Sequence, residues 1–213
     1  NNMMIDLDIL LAWGATYKKL APEEVLFKEG NPCSFYYQVM SGQMRWVNIN
    51  EDGKEYLQTL VEPGECIGEL PLFDGSGFAA TAIANKETSV LRLHESVFHQ
   101  LLKTEPEVHF AFTRLLTQRL RFKFFLLKEV ASHEPENIIT ALLKYLKEKG
   151  DHVCPNCNQI KLTRKQIAEM TGLRVETVIR VMRNLNERGF LEIHKGKVYF
   201  GDKKEGIRKI CTA

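Results

Sequence analysis

Turn signals punctuate residues 19–93 at nearly regular intervals. Glu29-Gly30-Asn31-Pro32, Ser41-Gly42, Glu51-Asp52-Gly53 and Pro63-Gly64 fall about eleven residues apart, and Asp74-Gly75-Ser76-Gly77 follows them. That spacing leaves room for short strands rather than helices and favours an all-β sandwich or barrel. Segments 35–40, 44–48, 56–60 and 89–93 read as strands. Asp52-Gly53 between two of them is a good hairpin turn.

Helical phrases flank this region at 5–13 and 96–103. Thr104-Glu105-Pro106-Glu107 then opens a longer helix, with Thr104 as cap, Glu107 completing a capping box and Pro106 in the first turn. It runs to about Ala131, roughly 26 residues or about 39 Å. Val108, Phe112, Leu115 and Leu116 make one apolar stripe, and Phe122 to Leu127 is apolar on almost every side. Such a helix has to be covered all round. One β domain covers one face, so the rest predicts a homodimer with Leu115, Leu116, Phe122 and Leu126 in its seam. The C-terminal part of the same chain is the other available cover. Arg119 and Lys123 interrupt the seam.

Beyond the break at Ala131-Ser132-His133-Glu134-Pro135 an amphipathic helix is expected over 138–147, ended by Gly150. Thr163-Arg164-Lys165-Gln166 is a second capping box. A helix over 164–170, a Thr171-Gly172 turn and a helix over 174–187 form a helix-turn-helix pattern. Val178, Val181, Met182 and Leu185 recur at the spacing of an inward face. Glu176, Ile179, Arg180 and Arg183 lie opposite, where side chains reach base edges in a major groove. Segments 190–193 and 197–200, joined through His194-Lys195-Gly196, read as a hairpin wing whose lysines Lys195 and Lys197 meet phosphate.

Charge supports the division. Residues 1–133 carry 13 Lys+Arg against 17 Asp+Glu, while residues 134–213 carry 16 against 10. A basic rear half beside an acidic front suggests different partners. With 44% hydrophobic and 26% charged residues the chain is globular, neither disordered nor membrane-spanning. The apolar run 9–13 is too short to cross a bilayer, and no basic residue precedes it as in a secretory leader. Five cysteines at irregular spacing make no disulfide framework, so reduced thiols and a cytoplasmic location are expected. No phosphate-binding P-loop, H-E-x-x-H or G-x-S-x-G motif points to an enzyme.

These features together resemble the cyclic-AMP receptor protein / fumarate-nitrate regulator (Crp/Fnr) family of bacterial transcription factors. The carriers are Gly30, Gly42, Gly53 and Gly64, the stretch Ile67-Gly68-Glu69-Leu70-Pro71-Leu72-Phe73, and Arg164-Lys165-Gln166-Ile167-Ala168 through Glu176-Thr177-Val178-Ile179-Arg180. The resemblance covers 19–200. It implies an α+β fold: an N-terminal cyclic-nucleotide-binding-type β jelly roll, a long dimerisation helix and a C-terminal winged helix-turn-helix. The divisions are then a sensor at 1–104, dimerisation helix and hinge at 105–133, and a DNA-binding domain at 134–213. The implied partners are double-stranded DNA read as a homodimer at a two-fold symmetric site, RNA polymerase, and an unknown small-molecule or gas effector, with no membrane involved.

By this similarity Glu176 and Arg180 are the base-reading pair, with Ile179 and Val175 beside them. Arginine donates two hydrogen bonds to guanine, and glutamate accepts from cytosine. Val175 stands where the receptor branch often has arginine, so a different half-site is expected. Thr163, Arg164, Lys165 and Thr177 match phosphate-contacting positions. Arg174 replaces the usual helix-start serine with a cation, and Arg183, Lys195 and Lys197 complete the set.

The effector pocket implied by the resemblance comprises Gly68, Glu69, Leu70, Phe78, Ala79, Lys123 and Phe124. Cyclic-AMP binders carry an Arg-Ser or Arg-Thr pair where Phe78 and Ala79 stand, and the arginine neutralises the cyclic phosphate. An unneutralised phosphate in a closed pocket costs several kcal/mol. Cyclic AMP is therefore not expected as effector. Without it Glu69 reads as a carboxylate capping backbone N–H groups in the roll, and Lys123 or Arg121 remains a cation for another anion. No cofactor is expected; the oxygen sensors' N-terminal cysteine cluster has no counterpart before Cys33. His94, His99 and His109 near the junction of roll and helix leave haem open, with the phenylalanines of 122–125 as a pocket lining or as packing. Cys154-Pro155-Asn156-Cys157 fits half a zinc site, a redox dithiol or a plain hairpin turn. His152 lies close in sequence, and there is no second C-x-x-C. A redox-, metal- or haem-responsive sensor module is the alternative function. Cys33, Cys66 and Cys211 look isolated.

Overall fold

The computed structural model describes residues 3–201. The chain divides into two compact units, Asn1–Arg119 and Leu120–Ala213. Eight strands of the first unit form two four-stranded antiparallel sheets. One has the order β1 (Thr16–Leu20), β8 (Thr88–His94), β3 (Phe35–Ser41), β6 (Cys66–Ile67). The other runs β2 (Val25–Phe27), β7 (Thr81–Ala84), β4 (Met44–Ile49), β5 (Glu55–Val61). This is the jelly roll the resemblance implies. The four expected strands lie inside β3, β4, β5 and β8, and the β4–β5 hairpin turns at Asp52-Gly53, where Gly53 has φ +76°. Gly42 shows why one turn needs glycine: φ is +90°, and a Cβ there would lie 2.3 Å from Thr88 Oγ1.

The inner faces share one core, drawing Leu20, Phe27, Val39, Met44, Trp46, Val61, Ile67, Ala82 and Val90 from both sheets. A second cluster lies behind the first sheet, where α1 (Leu7–Ala12), α3 (Glu95–Thr104) and the start of α4 (Pro106–Ala131) lay Leu10, Phe98, Leu101 and Phe112 against Tyr36, Leu91 and Leu93. Tyr36 and Phe98 stack at 5.0 Å, and Phe112 meets Phe98 edge-on at 5.3 Å. Burying aromatic surface of this size contributes roughly 1.5–3 kcal/mol per side chain.

One expected cap differs. Thr104 belongs to α3, and its hydroxyl donates back to the Gln100 carbonyl at 3.0 Å. The α4 start instead uses the Glu105 carbonyl, which accepts from Val108 and His109 N–H. The capping-box pattern overlooked that α3 still needed residue 104 for its own last turn.

The second unit holds α5 (Pro135–Lys149), α6 (Arg164–Thr171), α7 (Val175–Glu187) and a three-stranded sheet, order β10 (Leu191–His194), β11 (Lys197–Phe200), β9 (Gln159–Ile160). Gly150 ends α5 in the left-handed conformation, as its place after the last apolar residue predicts. Ile138, Leu142, Leu143 and Leu146 of α5 are buried together with Ile167 of α6 and Val178, Val181, Met182 and Leu185 of α7. Phe125 stacks on Tyr145 at 4.6 Å, and Phe122 lies 5.2 Å from the same ring. No helix among the described residues is long and apolar enough to cross a membrane. Cys211 lies outside the described residues.

Candidate DNA interface and sensor pocket

The capping box at α6 forms in full. Thr163 Oγ1 accepts from Gln166 N–H at 3.1 Å, and Gln166 Oε1 accepts from Thr163 N–H at 2.8 Å. Gly172 (φ +73°) closes the turn, and α7 begins at Val175 with Arg174 at the cap position and no side-chain cap. The missing cap leaves the first N–H groups of α7 with only the helix's positive end to offer, a place that favours an anion.

The inward face of α7 is the one its apolar spacing predicts, and this orients the rest. Glu176, Ile179, Arg180 and Arg183 are exposed, while Val175 and Thr177 are half-buried at the helix start. Glu176 and Arg180 stand four residues apart, one turn along the helix. Among the described residues neither has an ion-pair partner. Asn186 Oδ1 accepts from Ile193 N–H at 2.8 Å, and Arg188 pairs with Glu136 of α5, so the far end of α7 is anchored to both neighbours.

The wing turns at Lys195-Gly196, both at positive φ (+47° and +81°), with His194↔Lys197 as the last strand pair. Such a turn suits the twist of a tight hairpin. Lys195 and Lys197 are exposed at its tip. Arg164 has a role that sequence reading missed. Its guanidinium donates to the Gly196 carbonyl at 2.5 Å, tying the start of α6 to the wing tip. Lys165 is exposed, 3.5 Å from Glu169 one turn on. Thr163, Arg164, Arg174, Lys195 and Lys197 thus belong to one module as exposed or half-buried groups around the start of α6, the start of α7 and the wing.

In the first unit, Glu69 is fully buried and accepts from Arg119 of α4 at 2.5 Å. Arg119 also donates to the Cys66 carbonyl at 3.0 Å and lies 5.6 Å over the Trp46 ring. Burial works against its charge, but Glu69, together with Cys66 and Glu65, outweighs that and holds the guanidinium's pKa above its ordinary value. The expectation that Glu69 caps backbone N–H groups gives way to this pair. Sequence spacing makes Arg119 an interruption of a helix seam, and an arginine among apolar residues is the signal that a buried acid awaits it.

Phe78 is buried and stacked on Phe27 at 3.7 Å, nearly parallel, with Tyr37 beyond. Gly68 sits against this stack with φ +74°, and a Cβ there would meet Phe27 at 2.4 Å and Phe78 at 2.9 Å. Leu70 packs half-buried on the same core, whereas Ala79 faces outward. Lys123 and Phe124 are exposed on α4, in the second unit. The histidines have local work. His94 Nδ1 accepts from Ser96 N–H at the start of α3, His99 Nε2 lies 2.7 Å from the Leu72 carbonyl, and His109 is exposed.

The exposed apolar residues of α4 fall in a different line from the predicted seam. Phe110, Leu120, Phe124 and Leu127 are between 55% and 68% exposed. With Thr113 and Thr117 they recur every three or four residues. Leu115 packs partly on the first unit's core, and Phe122 is taken up by Tyr145. Leu116 and Leu126 are half-buried.

The family model for the cyclic nucleotide-binding domain matches residues 17–105, and that for the Crp-like helix-turn-helix domain matches 138–205. The chain belongs to the Crp/Fnr family of transcriptional regulators. It is similar to the cyclic AMP receptor protein of Thermus thermophilus, at 29% identity over 84% of this chain and 88% of that one. It is also similar to the cAMP-activated global transcriptional regulator CRP of Haemophilus influenzae, at 26% identity over 88% and 86%. The fold matches that of the c-di-GMP-responsive global regulator CLP of Xanthomonas campestris, with a TM-score of 0.72 at 21% identity over 91% of this chain and 97% of that one. Crp/Fnr proteins of this kind are DNA-binding transcription regulators with a cyclic-nucleotide-binding-type sensor domain, not enzymes.

Proposed function

We propose that this Crp/Fnr regulator acts as a homodimer on a two-fold symmetric DNA site, with residues 1–104 as sensor, 105–133 as dimerisation helix and hinge, and 134–213 as DNA-binding domain. The observation that carries the DNA-reading part is the outward face of α7. Its apolar side is fully used by the core, which leaves Glu176 and Arg180 exposed one turn apart, beside Ile179 and Val175. Thr163, Lys165, Arg174, Thr177, Arg183, Lys195 and Lys197 supply phosphate contacts, and Arg164 contributes by holding the wing tip. Recognition helices of such a dimer stand about 34 Å apart. RNA polymerase is the partner that turns binding into regulation, in the cytoplasm.

The homodimer is supported by the line Phe110, Leu120, Phe124 and Leu127, too apolar to stay in water along one helix. We place the seam there, with Leu115, Leu116, Phe122 and Leu126 at its flanks.

The effector is not cyclic AMP. Phe78 fills the place of the phosphate-binding arginine and is held by Phe27, and the half-buried Arg119 is already committed to Glu69. A cyclic phosphate seated at Phe78 would meet an aromatic ring in place of the neutralising cation. A small molecule or gas that needs no such cation is the class of effector that remains.

Fluorescence anisotropy on a selected duplex tests the reading. Specific binding should weaken steeply with salt, because each neutralised phosphate releases a counterion. Cyclic AMP should leave the affinity unchanged. Binding that is indifferent to duplex sequence, or that appears only with cyclic AMP, overturns it.

A further inference from the structure

The Cys154-Pro155-Asn156-Cys157 turn takes no part in the DNA-binding reading, yet it is built with care. Cys154 N–H donates to the Gln159 carbonyl at 2.8 Å, and Asn158 N–H donates to the Cys154 carbonyl at 2.9 Å. Asn158 is left-handed (φ +57°), which turns the chain back into β9. A bridge between Val153 and Ile160 closes the hairpin, and β9 pairs with the wing strand β11. Neither cysteine is in a disulfide, and both are half-buried rather than sealed in the core.

A bond from residue 158 back to residue 154 makes a single turn of helical type. Side chains three apart on such a turn are neighbours, with Cβ atoms about 5–6 Å apart. A disulfide needs its Cβ atoms nearer, at about 3.5–4.5 Å, so the turn would have to tighten. Two thiolates on one tetrahedral ion, each about 2.3 Å from it, stand just under 4 Å apart at sulfur, which a Cβ spacing of that wider kind allows. Among the described residues no three of His, Cys, Asp or Glu gather to hold a metal. His152 Nε2 lies 3.5 Å from Asp151 Oδ1.

We propose that Cys154 and Cys157 form a two-thiolate site for a soft divalent cation of the zinc class, with its remaining coordination positions open to solvent or to an incoming ligand. On binding, two S–H bonds break, two S–metal bonds form and two protons go to solvent. No electron transfer is involved.

The test uses the full reduced chain, stripped with chelator and titrated with cadmium ion alone. The expected result is a thiolate-to-cadmium charge-transfer band that saturates at one metal per chain with release of two protons, and that zinc displaces. Cys154→Ser/Cys157→Ser should abolish the band and Cys33→Ser should leave it. Cys157→His should keep one-to-one metal binding with a weaker band, which separates loss of ligand from loss of fold. An unchanged band in the double variant overturns the proposal, as does the absence of one-to-one saturation. Conversion of the pair to a disulfide by oxidised glutathione while cadmium goes untaken would make the turn a redox dithiol and also overturn it. None of these readouts involves DNA, so failure here and failure of the DNA-binding reading are told apart.

Discussion

Arg119 and Glu69 form an ion pair at 2.5 Å in which the carboxylate has no exposure and the guanidinium keeps 24%. The pair pins the middle of α4 to the segment that follows β6, so the helix proposed to carry the dimer seam is fastened to the sensor at a fully buried acid.

Breaking one side of this pair strands a charge. Arg119→Met should cost about 3–5 kcal/mol in chemical denaturation. The double variant Arg119→Met/Glu69→Gln should recover a good part of that, because no uncompensated carboxylate remains. Equal losses in the single and double variants would show that packing, not charge, sets the cost.

Phe78 gives a second prediction. Calorimetric titration with cyclic AMP should detect no saturable binding. Phe78→Ala should destabilise the sensor by about 3–5 kcal/mol through the lost stack on Phe27 and the cavity left behind. Saturable cyclic AMP binding by the unaltered chain would contradict the assignment of Phe78.

The seam on α4 is testable by charge insertion. Leu120→Asp and Phe124→Asp should each weaken self-association by at least a factor of about ten, equivalent to about 1.4 kcal/mol, in sedimentation equilibrium. Both positions are exposed in the single chain, so its folding should be little changed. A dimer of undiminished strength in both variants would place the interface elsewhere.

Cys66 sets a pH dependence. Burial, with Glu69 close by, pushes its thiol well above the usual range. In the unfolded chain the thiol ionises near pH 8.5. The folded state thus favours the protonated form, and the associated stability is complete below about pH 8.5 and is lost above it, by up to about 1.4 kcal/mol per pH unit. Cys66→Ala should flatten that part of the alkaline slope in denaturation curves measured from pH 7 to 10. An unchanged slope would assign it to other groups.

The second unit was the more legible half. Its helices are long enough for apolar spacing to speak, and the Thr163/Gln166 box and Gly172 mark boundaries by local chemistry alone. In the first unit the hairpin strands were visible through their turns, but β1, β2, β6 and β7 were not. β6 has two residues, β1 is a polar edge strand, and β7 is buried at every position, so none alternates. The site residues divide the same way. Glu176 and Arg180 follow from a periodicity, whereas Arg119–Glu69 and Phe27–Phe78 join positions 50 and 51 residues apart and leave no local trace.

The central claim is that the exposed Glu176/Arg180 edge of α7 reads sequence in duplex DNA. Selection of random duplexes by the purified protein, followed by competition binding with Arg180→Ala, tests it most directly. The account predicts enrichment of a two-fold symmetric site, and a loss of about 1–3 kcal/mol of discrimination per half-site in the variant while non-specific binding persists. Recovery of no preferred sequence, or a variant that selects the same site with the same preference, would contradict it.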